Sequence, residues 1–262
     1  MRIIFLDIDG TIIDCFRGLE KPSNKTIQSV KALQAQGDAV LIVSGRPKCL
    51  LDKSILDLNT DGLILGNGSY IEYHGEKILT NYIDSEIIDK IIAFGTKHHC
   101  PYYLESNDYV YTQDRDDELH HAYFDEWKLD DKVKNFDGVK RDYLACMMAL
   151  RSDENLMSEC ERYLGDDLDM ARQNGLYAYD LNARGFNKGS AIKYFINYLN
   201  CDDLETFAFG DGENDITMMQ SVDHPIAMGN ACDKIKNICE YQTLDVLDEG
   251  VTEGLKHYCV FE

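Results

Sequence analysis

Two carboxylates stand close together at the end of the first apolar run of the chain. The stretch IIFLDIDGTI places Asp7 and Asp9 one residue apart, and Gly10 and Thr11 follow them. Two like charges this close repel each other, and a hard divalent cation with oxygen ligands removes that repulsion. The pair alone gives weak support for metal-assisted chemistry, because acidic residues are common in loops.

Two further polar clusters follow apolar runs that predict buried strands. The cluster SGRP at 44–47 follows AVLIV, and GDGEND at 210–215 follows TFAF. Ligands bind at the carboxyl ends of the strands of an open parallel sheet, so we expect the three clusters to meet there. Asp7, Asp9 and Asp211 would then crowd together, and Mg²⁺ is the usual counter-ion for such an all-oxygen set. The alternative is that one or more of these acids caps the amino terminus of a helix.

The clusters lie in segments where strand and helix patterns alternate. Continuous apolar runs between amphipathic helices are typical of a parallel sheet covered on both faces. We therefore predict an α/β fold with a Rossmann-like parallel-sheet core. Strands are predicted at 3–7, 39–43, 62–65, 206–209 and 225–228, and helices at 22–37, 47–58 and 188–199.

The middle of the chain has a different pattern. Asn174 and Gly175 stand between two strand-like runs, which is a hairpin signal. We therefore predict that 82–183 is an inserted α+β cap domain, and that 1–81 and 184–262 together form the core. Within the insert, helices are predicted at 86–98 and 153–164, and strands around 109–112, 143–150, 168–172 and 176–181.

The charge balance limits the possible partners. The 262 residues include 47 acidic and 26 basic side chains, a net charge of −21. Such a surface repels nucleic acid and anionic membranes, and its main effect is solubility. An anionic substrate would therefore have to be held by local positive charge.

The cysteine pattern and the apolar runs indicate the class of protein. The nine cysteines are scattered without a C-x-x-C pair, so we expect most of them to be reduced core thiols rather than disulfide or zinc ligands. No apolar run has the length of a membrane span, and the first residues lack a signal-peptide pattern. We expect a cytoplasmic protein.

The clusters, taken in order, resemble the motifs of the haloacid dehalogenase superfamily. The motifs are DIDGT, SGRP, Lys188-Gly189 and GDGEND, with AMGNA at 227–231 after them. The long insert between the second and third motifs is similar to that of the Cof-type members, as are NGS at 67–69 and YDLNARGFNKG at 179–189. The resemblance implies a Mg²⁺-dependent phosphatase of small phosphorylated metabolites such as sugar phosphates. We expect a monomer or a weak homo-oligomer.

The resemblance also implies catalytic roles. Asp7 matches the nucleophile, which attacks phosphorus and forms an aspartyl-phosphate. Asp9 matches the general acid and base, and its backbone carbonyl is expected to bind the metal with Asp7 and Asp211. Thr11 and Asp215 are expected to support these groups from behind.

A phosphate-binding set follows from the same match. Arg46 is ambiguous, because it could contact the substrate or pair with acids beside the cleft. Lys188 is expected to supply positive charge for the phosphate and for Asp7. The set consists of Gly10, Ser44, Gly45, Arg46, Lys188 and Asn214.

Two other functions stay open at this point. A phosphomutase or phosphotransferase would use the same motifs and hand the phosphoryl group to a second substrate instead of water. A non-catalytic sensor of phosphorylated metabolites could bind through the same cleft, although it would have little need for both Asp7 and Asp9. The sequence does not identify the substrate.

Overall fold

The computed structural model describes residues 1–118, 120–121, 130–139, 141–173, 177–201 and 203–258. These residues form two β-sheets with helices packed against them. The first sheet has eight strands in the order β14-β13-β12-β1-β2-β3-β4-β5, and the second has six in the order β10-β11-β9-β6-β7-β8. The strands are β1 (Arg2–Leu6), β2 (Ala39–Val43), β3 (Gly62–Leu65), β4 (Tyr70–Tyr73), β5 (Glu76–Thr80), β6 (Tyr102–Glu105), β7 (Val110–Thr112), β8 (Val133–Asn135), β9 (Ala145–Ala149), β10 (Leu168–Arg172), β11 (Ala178–Ala183), β12 (Glu205–Gly210), β13 (His224–Ala227) and β14 (Tyr241–Gln242).

The first sheet has the predicted parallel core. Strand β1 lies between β2 and β12 and is parallel to both, and β3, β13 and β14 continue the parallel arrangement. The residues of β2 are all buried, as are the last four of β1, because helices cover both faces of the sheet. The predicted fold class, α/β with a parallel-sheet core, is confirmed.

Helices pack around both sheets. In α1 the Ser23 hydroxyl accepts a hydrogen bond from the Thr26 backbone N–H at 3.0 Å and begins the helix, and Val30 and Leu33 are buried against the sheet. Each helix thus buries an apolar face. The helices are α1 (Asn24–Ala35), α2 (Lys53–Leu56), α3 (Ser85–His98), α4 (Glu154–Leu164), α5 (Lys188–Leu199), α6 (Ile216–Met219), α7 (Asp233–Ile238) and α8 (Gly250–His257).

Two local expectations were wrong, and one element was not predicted. The segment 47–58 is a 3₁₀ turn followed by the short helix α2, because Leu51 is extended and Asp52 caps a new helix start. The parallel sheet is continued by an antiparallel hairpin, β4 and β5, which the sequence pattern did not predict. The strand at His224–Ala227 is not the last, since the two-residue β14 pairs with it.

The second sheet lies within the predicted insert. It is antiparallel except for the β7–β8 pair, and α3 and α4 pack on one face through an apolar cluster that includes Ile91, Phe94 and Cys160. Strands β10 and β11 pair antiparallel as expected, while Asn174 and Gly175 of the predicted hairpin turn lie outside the described residues. The exact boundaries of the insert, 82 and 183, stay a prediction.

The cysteines differ in their burial. The eight described cysteines are free thiols, and Cys100, Cys146 and Cys160 are buried. The other five are partly or fully exposed, so the expectation that most of the cysteines are core thiols is wrong for the described residues. Within the described part of the chain, no helix is long and apolar enough to cross a membrane.

Candidate active site

A cavity of about 330 Å³ opens where the carboxyl ends of β1, β2 and β12 meet. The chain order of the central strands reverses beside β1, which is where open parallel sheets bind ligands. Eight of the predicted site residues line this cavity, and Lys188, Thr11 and Asp215 lie outside its lining. The eight are Asp7, Asp9, Gly10, Ser44, Gly45, Arg46, Asp211 and Asn214.

Lys188 lies behind Asp7, away from the cavity surface. Its ammonium group donates hydrogen bonds to the carboxylates of Asp7 and Asp215, each at 2.6 Å, and the side chain has no exposed surface. A buried ion pair persists only when its hydrogen bonds are satisfied. The lysine therefore fixes the carboxylate of Asp7 at the floor of the cavity.

Asp215 connects this ion pair to the loop after β12. One carboxylate oxygen binds Lys188, and the other accepts the backbone N–H groups of Asp211 and Gly212, both at 2.9 Å. The carboxylate thus accepts hydrogen bonds from three donors and has little capacity for another ligand. Its place supports the prediction that Asp215 holds the site from behind.

Burial and crowding disfavour the charged forms of the site acids. Burial, with a contribution from Asp215, raises the pKa of Asp7 to about 7, although Lys188 opposes the shift. Burial, reinforced by the charge of Asp7, raises the pKa of Asp211 to about 9. The pKa of Lys188 is also raised: burial lowers it, but the two carboxylates overcome that effect. The site as it stands has more negative charge than the lysine can balance.

Gly10 brings the β1 loop against Asp211. Its φ of +78° is unfavourable for other residues, and a Cβ atom there would lie 2.2 Å from the Asp211 carboxylate. The Asn230 side-chain amide donates to the Gly10 carbonyl at 2.7 Å, and its oxygen accepts the Val246 N–H at 2.9 Å. The sequence included Asn230 in a family motif, but its role as a clamp depends on contacts between distant loops.

Arg46 pairs with Asp9 in this structure. Of its two predicted roles, contact with the substrate or pairing with acids beside the cleft, the structure shows the second. Its Nε and a terminal nitrogen donate to the two oxygens of the carboxylate at 2.8 and 2.6 Å. The arginine side chain is 7% exposed and that of Asp9 is 49% exposed. The bidentate contact orients the Asp9 carboxylate at the cavity wall.

The loop after β2 provides polar groups beside this pair. The Ser44 hydroxyl accepts the Arg46 backbone N–H at 3.1 Å, so the hydroxyl proton can point into the cavity. The Thr11 hydroxyl is buried and has no hydrogen-bond partner among the described residues. Thr11 holds its loop through its backbone N–H, which donates to the Ile8 carbonyl at 3.2 Å.

Asn67 is a site residue that sequence reasoning did not assign. Its φ is +50°, and its backbone N–H donates to the Ser44 carbonyl at 3.1 Å. The side-chain amide donates to Asn182 of the second sheet at 3.1 Å, and it accepts a long hydrogen bond of 3.5 Å from Asn214. Asn67 thereby joins the active-site loops to the second sheet. The NGS motif at 67–69 was the available signal.

The acids at the cavity floor fit a hard divalent cation. Asp7, Asp211 and Asp215 can each place one carboxylate oxygen within 4.8 Å of the others, and the donor set contains only oxygen. Because Lys188 and two N–H groups already occupy Asp215, Asp7 and Asp211 are the carboxylates available to a metal. The carboxylate of Asp9 is held by Arg46, which leaves its backbone carbonyl as the group that the sequence predicts for the metal.

The second sheet forms the opposite wall of the cavity. Met147, Glu105, Gln173 and Asp180 from its strands and their ends line the space. An apolar patch on the same face includes Tyr103 and Met147 and packs on Leu50 of the core. The cavity thus lies between the two sheets and is open to solvent on one side.

Comparisons with known proteins agree with this fold. The family model of haloacid dehalogenase-like hydrolases matches residues 4–255. The chain therefore belongs to this family, and the resemblance inferred from the motifs is confirmed.

Individual relatives extend the comparison over the full length. The predicted phosphatase YkrA of Bacillus subtilis is 27% identical over 268 aligned residues, covering 97% of this chain and 96% of the relative. A structure described as a subclass IIB sugar phosphatase of the superfamily has a TM-score of 0.87 at 24% identity, with both chains fully covered. A phosphatase structure from Bacteroides thetaiotaomicron has a TM-score of 0.86 at 24% identity, covering all of this chain and 96% of the other. At this identity the structural matches show the fold.

Proposed function

We propose that this protein is a Mg²⁺-dependent phosphatase that hydrolyses small phosphate monoesters through an aspartyl-phosphate on Asp7. The observation that carries the proposal is the placement of the Asp7 carboxylate. It lies at the floor of the cavity, fixed from behind by Lys188 at 2.6 Å, with the Asp9 carboxylate at the wall beside it. A nucleophile and an acid–base group beside one enclosed space are the requirements of a two-step hydrolysis.

The metal has a defined place in this proposal. Asp7 and Asp211 would hold Mg²⁺, together with the backbone carbonyl of Asp9. When bound, the ion supplies positive charge that balances the site acids and the phosphate oxygens. The raised pKa values of Asp7 and Asp211 support the need for such a charge, since both carboxylates must be ionised for the chemistry.

In the first step, an oxygen of the Asp7 carboxylate attacks the phosphorus atom. The bond between phosphorus and the ester oxygen breaks, and the protonated Asp9 carboxyl group gives its proton to the departing alcohol. The product of this step is a phosphoryl group bonded to Asp7. Arg46 orients Asp9 for the proton transfer through its two hydrogen bonds of 2.8 and 2.6 Å.

In the second step, the Asp9 carboxylate takes a proton from a water molecule that attacks the same phosphorus atom. The bond to Asp7 breaks, which releases inorganic phosphate and restores the free carboxylate. The Ser44 hydroxyl and the Gly45 backbone N–H would hold the phosphate oxygens during both steps, and both residues line the cavity.

The 82–183 segment acts in the proposal as a cap that encloses the leaving group. Its sheet forms one wall of the cavity, and contacts such as the Asn67–Asn182 hydrogen bond at 3.1 Å hold it against the core. An enclosed site limits the entry of water during the first step. The matched proteins that are named as phosphatases support the same reaction, and the substrate class, small phosphorylated metabolites, is part of the proposal.

A phosphate-release assay tests the proposal. The purified chain is incubated with p-nitrophenyl phosphate and with a panel of phosphorylated metabolites, with Mg²⁺ or with EDTA. We expect multiple turnovers that stop in EDTA and return with Mg²⁺, without any bisphosphate activator. Turnover in metal-free buffer would contradict the metal role, and a need for a bisphosphate activator would indicate a phosphomutase. Binding without turnover would indicate a sensor.

A further inference from the structure

The cap wall of the cavity brings two acids to the place where the leaving group must lie. Asp180 of β11 pairs with Met147 of β9, which pairs in turn with Tyr103 of β6. Directly paired residues share a face of the sheet, and so do residues two apart along a strand. Glu105 therefore lies on the same face as Asp180, and both side chains line the cavity that also contains Asp7.

The carboxylates of Asp180 and Glu105 differ in the hydrogen bonds that they accept. Asp180 accepts a hydrogen bond from Gln173 at 2.6 Å and a long one from Asn67 at 3.5 Å. No hydrogen bond or ion pair joins the Glu105 carboxylate to another side chain in the described part of the chain. Glu105 therefore keeps its full capacity to accept hydrogen bonds from a bound molecule.

The cations near this wall are already paired. Arg46 binds the Asp9 carboxylate, and Arg172 forms an ion pair of 2.8 Å with Glu154. Lys188 is fully buried behind Asp7. The leaving-group end of the cavity thus has two carboxylates, and Arg172, which also lines it, is already paired with Glu154.

The proximity of the two acids has an energetic cost. Burial, together with the charge of Asp180, raises the pKa of Glu105 well above its ordinary value, and burial raises the pKa of Asp180. Neutral hydroxyl groups could be bound equally well by uncharged amides, without this cost. A carboxylate pair becomes favourable when the ligand brings a positive charge.

We propose that Glu105 and Asp180 are specificity residues that bind a positively charged amino group on the leaving group of the phosphate ester. The proposal rests on the phosphatase function proposed above. The substrate would be an amino-bearing phosphate monoester, with its phosphate at Asp7 and its ammonium group at the cap wall. Glu105 would contribute more than Asp180 to binding the ammonium group, because its carboxylate accepts fewer hydrogen bonds from the protein.

Matched ester pairs test this directly. Each pair has the same phosphate end and differs in the amino group: glucosamine 6-phosphate against glucose 6-phosphate, phosphoethanolamine against 2-hydroxyethyl phosphate, and pyridoxamine against pyridoxine 5′-phosphate. We expect kcat/KM to favour the amino ester by about tenfold or more in at least one pair. Within that pair, acetylation of the amino group should remove the preference. The absence of any amino preference across all three pairs, including the absence of turnover, would overturn the proposal.

A charge-removing variant identifies the residue responsible. Glu105→Gln keeps the size of the side chain and removes its charge, so we expect the amino-to-hydroxyl ratio of kcat/KM to fall to within about threefold of one. The matched control is Glu159→Gln, which removes a partly exposed glutamate of α4 that lies beside Lys97 and His98 and does not line the cavity. A ratio that falls equally in both variants, or in neither, would contradict the role of Glu105.

Different results would reject the proposed phosphatase function and the proposed amino-group specificity. Loss of Mg²⁺-dependent turnover of p-nitrophenyl phosphate, an ester without an amino group, would reject the proposed function itself. Retained turnover of that ester with no amino preference would reject only the role of Glu105 and Asp180.

Discussion

The Lys188 ammonium nitrogen lies 2.6 Å from a carboxylate oxygen of Asp7, and Lys188 has no exposed surface. The lysine comes from the first residue of α5 and the aspartate from the end of β1, so the contact joins two parts of the core that are 181 positions apart in the chain. The same ammonium group binds Asp215 at 2.6 Å. One buried cation therefore holds the proposed nucleophile and the loop after β12 in a fixed relation.

Replacing this cation should reduce both stability and turnover. Lys188→Met leaves two buried carboxylates without a counter-charge, and we expect a loss of about 3–5 kcal/mol in the free energy of unfolding. Turnover should fall by roughly 10²-fold or more, because Asp7 loses its orientation. Urea unfolding and phosphate release measure the two effects.

The control for that variant is Lys234→Met, which removes an exposed lysine that pairs with Glu213 at 2.8 Å. We expect a change of less than about 1 kcal/mol there. If Lys188→Met were as stable and as active as the control, the buried ion pair would have no role in holding Asp7.

Arg46 should act on the proton-transfer step through Asp9. Lysine cannot reproduce the bidentate contact, so Arg46→Lys should lower kcat by about tenfold or more and leave KM nearly unchanged. Arg141→Lys is the matched control, because Arg141 makes a similar bidentate pair with Asp137 on the exposed surface, at 2.7 and 2.6 Å. A rise in KM at constant kcat would instead make Arg46 a contact of the substrate.

A side chain at Gly10 should reduce activity because it would clash with Asp211. Gly18 allows this clash to be separated from the effect of backbone strain. Gly10 and Gly18 have similar φ values, +78° and +85°, but a Cβ atom at Gly18 meets nothing within 4 Å, whereas at Gly10 it meets Asp211 at 2.2 Å. Gly10→Ala should therefore lose about tenfold or more in turnover, while Gly18→Ala keeps its activity despite a similar strain of roughly 1 kcal/mol. Equal activity of the two variants in the phosphate-release assay would show that the loop can shift away from Asp211.

Glu105 should make stability depend on pH in a defined direction. Its folded-state pKa is raised well above 4.5 by burial and by Asp180, so folding favours the protonated form. The stability linked to this group is present below its unfolded pKa and is lost as the pH rises toward the folded value. Glu105→Gln should thus be more stable than the unmodified chain at pH 8, with a smaller difference at pH 4.

Thermal unfolding at the two pH values measures this effect, with Glu159→Gln as the charge-matched control at a partly exposed position outside the cavity. A stabilisation that is the same at both pH values would mean that the charge of Glu105 is not its cause. Lower stability of Glu105→Gln at pH 8 would mean that the carboxylate has a favourable partner in the folded protein.

The sequence predicted the parts of the site that depend on single strands. Asp7, Ser44 and Asp211 each follow a continuous apolar run, and the carboxyl ends of parallel strands meet at one edge of the sheet. Lys188 followed from its motif at the start of α5. These positions depend on local patterns and on the order of the motifs along the chain.

The rest of the site depends on contacts that the pattern of one segment does not contain. The pairing of Arg46 with Asp9, the clamp made by Asn230 and the link from Asn67 to Asn182 each join separate loops. The cavity wall formed by the second sheet is even harder to predict from the sequence, because Glu105 lines the cavity only when that sheet packs on the core. No spacing in the sequence marks that docking.

The most direct test of the account is a search for a phosphoryl group on Asp7 during turnover. The protein is mixed with p-nitrophenyl phosphate and Mg²⁺, quenched, treated with borohydride, and analysed by peptide mass spectrometry. Borohydride reduces an aspartyl-phosphate to homoserine, so we expect homoserine at position 7 only when substrate and Mg²⁺ are both present. Asp7→Asn should show neither the modification nor phosphate release. Full phosphate release by Asp7→Asn, or modification at a different residue, would contradict the central role of Asp7.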